Sequence, residues 1–169
     1  MIPAVVLAAG ASSRFGSPKQ RLLLPAVLER LAESPVTEVV VVLGAHDVET
    51  DARTVRAEDW EVGPGASLRA GLAALPEDAP AAVVILADGP DLNPLAVRRL
   101  IRAWQLAEGE LFAATYGGVR SHPVVIGREL WGSVPDEGFR AMEAELVECD
   151  DLGSPGDVDT PADLPERFG

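Results

Sequence analysis

Three short apolar runs, rich in β-branched residues, each end abruptly at a residue suited to a tight turn or to chemistry. Ala4-Val5-Val6-Leu7-Ala8-Ala9 stops at Gly10, Val39-Val40-Val41-Val42-Leu43 at Gly44, and Ala82-Val83-Val84-Ile85-Leu86-Ala87 at Asp88. None alternates with polar residues, so each reads as a strand covered on both faces. Such strands need a layer of helices above and below. The helical patterns lie between the runs: Leu24, Val27, Leu28 and Leu31 follow 3.6 spacing, as do Leu68, Leu72 and Leu75. Asn93-Pro94 is an N-cap and first-turn pair, followed by the stripe Val97, Leu100, Ile101 and Trp104.

Two further strands, Leu111 to Tyr116 and Pro123 to Ile126, flank a Gly-Gly turn, and a helix is expected through Phe139 and Met142. The alternation predicts an α/β, Rossmann-like three-layer sandwich around a mostly parallel mixed sheet. The 169 residues suit one domain, 1–169, and no linker or repeat divides them. In such a fold ligands lie beyond the carboxyl ends of the strands, which directs attention to the residues just after each run.

Charge narrows the function. The net charge of −13 argues against a nucleic-acid or anionic-membrane partner, because the overall field repels phosphate. No apolar run reaches membrane-span length, and the N-terminus lacks the basic region of a signal peptide, so a cytoplasmic protein is expected. Cys149 is the only cysteine, which excludes intrachain disulfides and CxxC chemistry. No G-x-S-x-G elbow or Cys–His arrangement supports a protein nucleophile. Within this acidic chain, residues 1–28 hold Arg14, Lys19 and Arg21 and no acid, while residues 129–169 hold twelve acids against Arg140 and Arg167. A basic island in an acidic protein marks a local anion site. Lys19 is also the only lysine beside 13 arginines.

The island coincides with Gly10-Ala11-Ser12-Ser13-Arg14-Phe15-Gly16-Ser17-Pro18-Lys19. Its spacing is neither a Walker A loop nor GxGxxG. Composition alone leaves a phosphate-cradling loop and an ordinary strand-to-helix connection equally open. Ser67, after Gly63-Pro64-Gly65-Ala66, reads as an N-cap with free N–H groups available to a base or phosphate. Asp88 at a strand end suits Mg²⁺, which takes few carboxylates and completes its shell with water and substrate oxygens; it equally suits an Asx turn. Thr160-Pro161 reads as the cap and start of a helix after an acidic turn.

These stretches together resemble the nucleotidyltransferases related to molybdenum cofactor cytidylyl- and guanylyltransferases. The resemblance rests on Leu7-Ala8-Ala9-Gly10 through Gly16 with Lys19, on Gly63 to Leu72 with Ser67-Leu68, on Asp88-Gly89-Pro90, on Arg120-Ser121-His122-Pro123, and on Asp157-Val158-Asp159-Thr160-Pro161 with Asp163-Leu164. This chain departs from the family pattern at Phe15, where Met is usual, at Gly89, where Gln or Met is usual, and at Ser121, where Gly is usual.

The resemblance implies a nucleotide-diphospho-sugar transferase-like fold and transfer of a nucleotidyl group to a phosphorylated acceptor, such as the molybdopterin cofactor, with release of pyrophosphate. It implies a nucleoside triphosphate held by Leu7, Ala8, Ala9, Gly10, Arg14, Lys19, Gly63, Ser67 and Asp88, with Arg14, Lys19 and Asp88 acting in catalysis. Mg²⁺ would be bound by Asp88 and Asp159, and the acceptor would meet Arg120 and His122. Asp163 is left a helix-end role. CTP is favoured, because Ala9 stands where the guanylyl type usually carries Gly and its methyl narrows the space for a purine. A transient contact with the enzyme receiving the cofactor is also implied. The alternatives are guanylyl or other nucleotidyl transfer to a different phosphate acceptor, and a trimmed, non-catalytic nucleotide-binding relative.

Overall fold

The structure is a computed structural model and describes residues 1–10 and 19–168. In chain order its elements are β1 (Ala4–Ala8), α1 (Lys19–Ala32), β2 (Val39–Leu43), β3 (Arg53–Arg56), α2 (Pro64–Ala73), β4 (Ala81–Leu86), α3 (Pro94–Leu106), β5 (Leu111–Tyr116), β6 (Val119–Gly127) and β7 (Glu145–Glu148), joined by short 3-10 turns. The described strands form one seven-stranded sheet in the order β3-β2-β1-β4-β6-β5-β7. Within it β6 runs antiparallel to β4 and β5, and the other pairings are parallel.

The continuous apolar runs do cover two faces. Ala4, Val6 and Ala8 of β1 pack with Leu24, Val27 and Leu31 of α1 and with Val97 and Leu100 of α3. Val5 points the other way, toward Leu68 and Leu72 of α2. Period-two alternation thus splits each run between the two helical layers. The close approach of α2 requires Gly71: a Cβ there would sit 2.5 Å from a Val5 methyl and 2.7 Å from one of Val42.

Several expectations need correction. The strands β3 and β7 were not anticipated. Both are sheet edges, mostly exposed and charged (Arg-Thr-Val-Arg and Glu-Leu-Val-Glu), so their pairing leaves little hydrophobic signature. The strand expected over Pro123 to Ile126 starts at Val119, because Gly117 and Gly118, at φ 59° and 80°, make a two-residue hairpin that pairs Tyr116 with Val119. The helix expected through Phe139 and Met142 is one 3-10 turn, Phe139–Ala141. The carbonyls of Phe139 and Met142 accept from the Arg120 guanidinium instead, each at 2.7 Å. The helix expected after Thr160 is likewise a single 3-10 turn, Pro161–Asp163. Ser67 is not an N-cap. It is buried in the second turn of α2, and Gly63 at φ 150° holds the cap position.

From β1 the sheet extends to β2 on one side and to β4 on the other. The order therefore reverses between β1 and β4, and their carboxyl ends open the crevice where such sheets bind ligands. Among the described residues, no helix is long and apolar enough to cross a membrane.

Candidate active site

Asp88 follows β4 by two residues, at the mouth of this crevice. The segment after residue 153 is tied across it by backbone bonds. The Val158 N–H donates to the Asp88 carbonyl at 3.0 Å and the Asp91 N–H to the Pro155 carbonyl at 2.9 Å. Lys19, at the start of α1, donates from Nζ to the Val158 carbonyl at 2.6 Å. Val158 itself is buried, so in this extended stretch its neighbours Asp157 and Asp159 both face the crevice. Lys19 Nζ then lies 3.8 Å from Asp88 Oδ2 and 3.8 Å from Asp159 Oδ1. Two carboxylates 71 positions apart in sequence converge on one ammonium group.

Asp157 joins them, a participant the sequence reading passed over in favour of Asp159. The period-two spacing around an apolar Val158 was the available signal. Burial, and then a hydrogen bond and like charge from Asp157, raise the Asp88 carboxyl to about 7, although Lys19 and Arg140 pull it down. Its Oδ1 is buried without a hydrogen-bond partner among the described residues. These oxygens fit a hard divalent cation. The described residues contain no cluster of three metal-ligating side chains.

Two cavities meet at this wall. One, of about 350 Å³, is lined by Leu7, Pro64, Glu137, Phe139 and Asp159. The other, of about 380 Å³, is lined by Tyr116, Arg120, Ser121, His122 and Gly156. Leu86, Asp88, Arg140 and Asp157 border both.

His122 is fully buried at the second cavity. Its Nδ1 accepts the Leu86 N–H at 3.4 Å, which leaves Nε2 as the protonated nitrogen, without a partner. Burial pushes its pKa down to about 3, helped by the Arg140 charge, so it is a neutral N–H donor rather than a cation. Gly89 makes this packing possible: a Cβ there would sit 2.7 Å from His122 Nε2. Arg120 spends both Nη groups on the Phe139 and Met142 carbonyls.

The other sequence candidates fall as follows. Leu7 is half-buried at the first cavity, and Ala8 and Ala9 are buried in the core. The Gly10 carbonyl accepts from Gln20 Nε2 at 3.0 Å. Arg14 lies outside the described residues. The amino end of α2 is not open to a base or phosphate at Gly65 and Ala66, whose N–H groups go to the Asp136 and Gly63 carbonyls.

The comparisons with known proteins bear directly on this arrangement. A family model described as the MobA-like NTP transferase domain matches residues 4–141. The chain belongs to the MobA-like NTP transferase family. It is 32% identical over 126 residues, 69% of its length, to a protein of Chloroflexus aggregans named as a probable molybdenum cofactor guanylyltransferase. The match spans 59% of that relative's length. In three dimensions the fold resembles Rv0371c from Mycobacterium tuberculosis H37Rv, with 28% identity, a TM-score of 0.78, and coverage of 96% of this chain and 95% of that one. It also resembles the Rv0371c homologue from Mycobacterium sp. strain JC1, with 26% identity, a TM-score of 0.81, and coverage of 99% and 94%. The stretch matched to the MobA-like model contains Lys19, Asp88, Arg120, His122 and Arg140 but ends before Asp157 and Asp159. The structure is what returns that acidic segment to the strand ends.

Proposed function

We propose that the chain is a Mg²⁺-dependent nucleotidyltransferase that moves a nucleoside monophosphate, CMP from CTP in the favoured reading, onto a phosphorylated small acceptor such as the molybdenum cofactor. The observation that carries the proposal is the convergence of Asp88 and Asp159 on Lys19, at a wall shared by two cavities. Two substrates in two cavities would meet at that wall. The acceptor's phosphate oxygen forms a bond to the α-phosphorus as the bond from that phosphorus to the bridging oxygen breaks, and pyrophosphate leaves with the electron pair. No protein nucleophile is needed; positioning and charge stabilisation supply the catalysis.

Asp88 and Asp159 are the residues that would hold the cation. When bound it supplies charge neutralisation and alignment of phosphoryl oxygens. Lys19, with Arg14, offsets the charge of the triphosphate. The neutral His122 N–H and the Arg120 side of the second cavity face the acceptor. Leu7 and Pro64 give the first cavity an apolar wall for the nucleoside.

CTP rests on the resemblance of Leu7-Ala8-Ala9-Gly10 to the cytidylyl type; the Ala9 methyl itself packs into the core rather than lining either cavity. A second reading, GTP, is favoured by the name of the Chloroflexus relative. The deciding experiment measures pyrophosphate release with Mg²⁺, the molybdenum cofactor and a panel of phosphate monoesters as acceptors, with CTP and GTP in parallel. Release with CTP at least tenfold faster than with GTP is expected. Faster release with GTP makes this a guanylyl enzyme, and binding of either nucleotide without release from any acceptor makes it a binding module.

A further inference from the structure

We infer that Arg140 is a further cation that contacts the reacting phosphoryl group, and that Arg120 is the residue that positions it. The inference rests on the nucleotidyl-transfer reading above. Among the described residues, Arg140 is the one basic residue bordering both cavities, beside Asp88 and Asp157. A phosphoryl group seated at that wall meets the Asp88 and Asp157 carboxylates, and like charges at contact distance repel strongly in a partly buried cleft, so a cation on this side adds to the charge Lys19 supplies. The guanidinium is exposed to the cleft and makes no hydrogen bond or salt bridge among the described residues. Its charge is nevertheless felt at Asp88, Arg120 and His122.

The turn carrying Arg140 is built to stay in place. Arg120 grips the carbonyls on both sides of Arg140, those of Phe139 and Met142, each at 2.7 Å. Arg69 of α2 holds the Val134 carbonyl at 2.7 Å and Asp136 Oδ1 at 2.8 Å. The Gly65 N–H adds a bond to the Asp136 carbonyl at 2.8 Å. Gly138, at φ 87°, turns the chain between these anchors. An ordinary surface arginine needs none of this support. A planar guanidinium carried on a backbone turn fixed in this way can match two phosphoryl oxygens at once, which an ammonium group cannot do. Its role is electrostatic: it stabilises charge that grows on the phosphoryl oxygens as one P–O bond forms and the other breaks.

The test compares the parent with Arg140→Ala, Arg140→Lys, Arg120→Lys, the Arg120→Lys/Arg140→Ala double variant, and Arg98→Ala on the distant face of α3 as control. Circular dichroism checks the fold. Calorimetry with Mg²⁺ follows CMP and GMP against cytidine and guanosine, and pyrophosphate release with the molybdenum cofactor follows turnover. Arg140→Ala is expected to bind nucleosides like the parent, to bind monophosphates at least tenfold more weakly, and to lose roughly a hundredfold or more in kcat. Arg140→Lys should keep part of the binding and less than a tenth of kcat, and Arg98→Ala should match the parent. Arg120→Lys should lower kcat, and the double variant should be no slower than Arg140→Ala alone, as expected for residues acting through one group. Multiplying losses overturn the positioning role. Parental kcat and monophosphate affinity in Arg140→Ala overturn the role of Arg140 alone. A parent that binds neither nucleotide and releases no pyrophosphate overturns the nucleotidyl-transfer reading and this inference with it.

Discussion

Lys19 holds three things at once: the Val158 carbonyl, Asp88 and Asp159. Lys19→Ala should therefore weaken triphosphate binding tenfold to a hundredfold, the loss of one charge-assisted contact at about 1.5–3 kcal/mol, while nucleoside binding changes little. Calorimetric titration with the triphosphate and the nucleoside separates the two. Asp88 and His122 make opposite contributions to pH-dependent stability. Asp88, raised from 3.8 to about 7, keeps its proton in the folded state where the unfolded chain has lost it, so its contribution falls as pH rises through that window. His122, lowered from 6.5 to about 3, refuses the proton that the unfolded chain accepts, so its contribution is full above 6.5 and is lost as pH falls toward 3. Between about pH 4 and 6.5 the two slopes oppose each other, each worth up to about 1.4 kcal/mol per pH unit. Asp88→Asn should make the metal-free protein lose stability more steeply on acidification, and His122→Gln should do the reverse. Urea denaturation at pH 4, 5, 6 and 7 reads both; parallel curves for all three proteins would refute the assignment.

At the level of elements, the contact between α2 and the 134–142 segment sets the geometry of the cleft. A Cβ on Gly65 would fall 1.6 Å from the Pro135 carbonyl oxygen, so Gly65→Ala must push that segment away. The expected outcome is a loss of about 1–3 kcal/mol in stability, typical of overpacking, together with loss of turnover. Chemical denaturation and pyrophosphate release check the two parts, and a variant that turns over like the parent would detach this contact from function. The short turn after Thr160 has a similar role on the other wall. Asp163 Oδ2 accepts from the Asp159 and Thr160 N–H groups and from Thr160 Oγ1. These bonds, backbone first, hold its carboxyl below the usual range. Asp163→Asn can still accept them and should keep most turnover, whereas Asp88→Asn and Asp159→Asn should each lose most of it, as steady-state kinetics will show.

Across the whole molecule, the site exists only because the chain's last segment folds back onto the end of β4. Arg167 secures it further, 2.7 Å from Asp91 Oδ1 and bonded to the Pro90 carbonyl at 3.1 Å. In the proposed reaction the nucleotide's phosphate oxygens would complete the cation's shell and the cation would offset their charge, so neither alone should bind tightly. Mg²⁺ with CTP should raise Tm by more than the sum of the separate shifts, because a ligand stabilises only through binding to the folded state. Thermal denaturation with Mg²⁺, CTP, both, and both plus a chelator tests this. Additive shifts would place the cation and nucleotide at independent sites.

The three apolar runs were legible because a strand buried on both faces has no alternative use for so many β-branched residues, and α3 because Asn93 and Pro94 announce its start locally. Asp88 and Asp159 were singled out through their sequence neighbours, and the structure brings both to Lys19. The edge strands β3 and β7 were not legible, since pairing at an edge is satisfied by the backbone and leaves side chains free to be charged. The role of Asp157 and the placement of Arg140 were hidden for a related reason. Both depend on contacts between residues far apart in the chain: Val158 locked to Asp88 and Lys19, and Arg120 gripping the carbonyls beside Arg140. The sequence by itself determined the layers, because burial acts through local patterns of apolar residues. Only the tertiary structure decided which charges share the cleft, because electrostatic and hydrogen-bonded partners are set by distance in space.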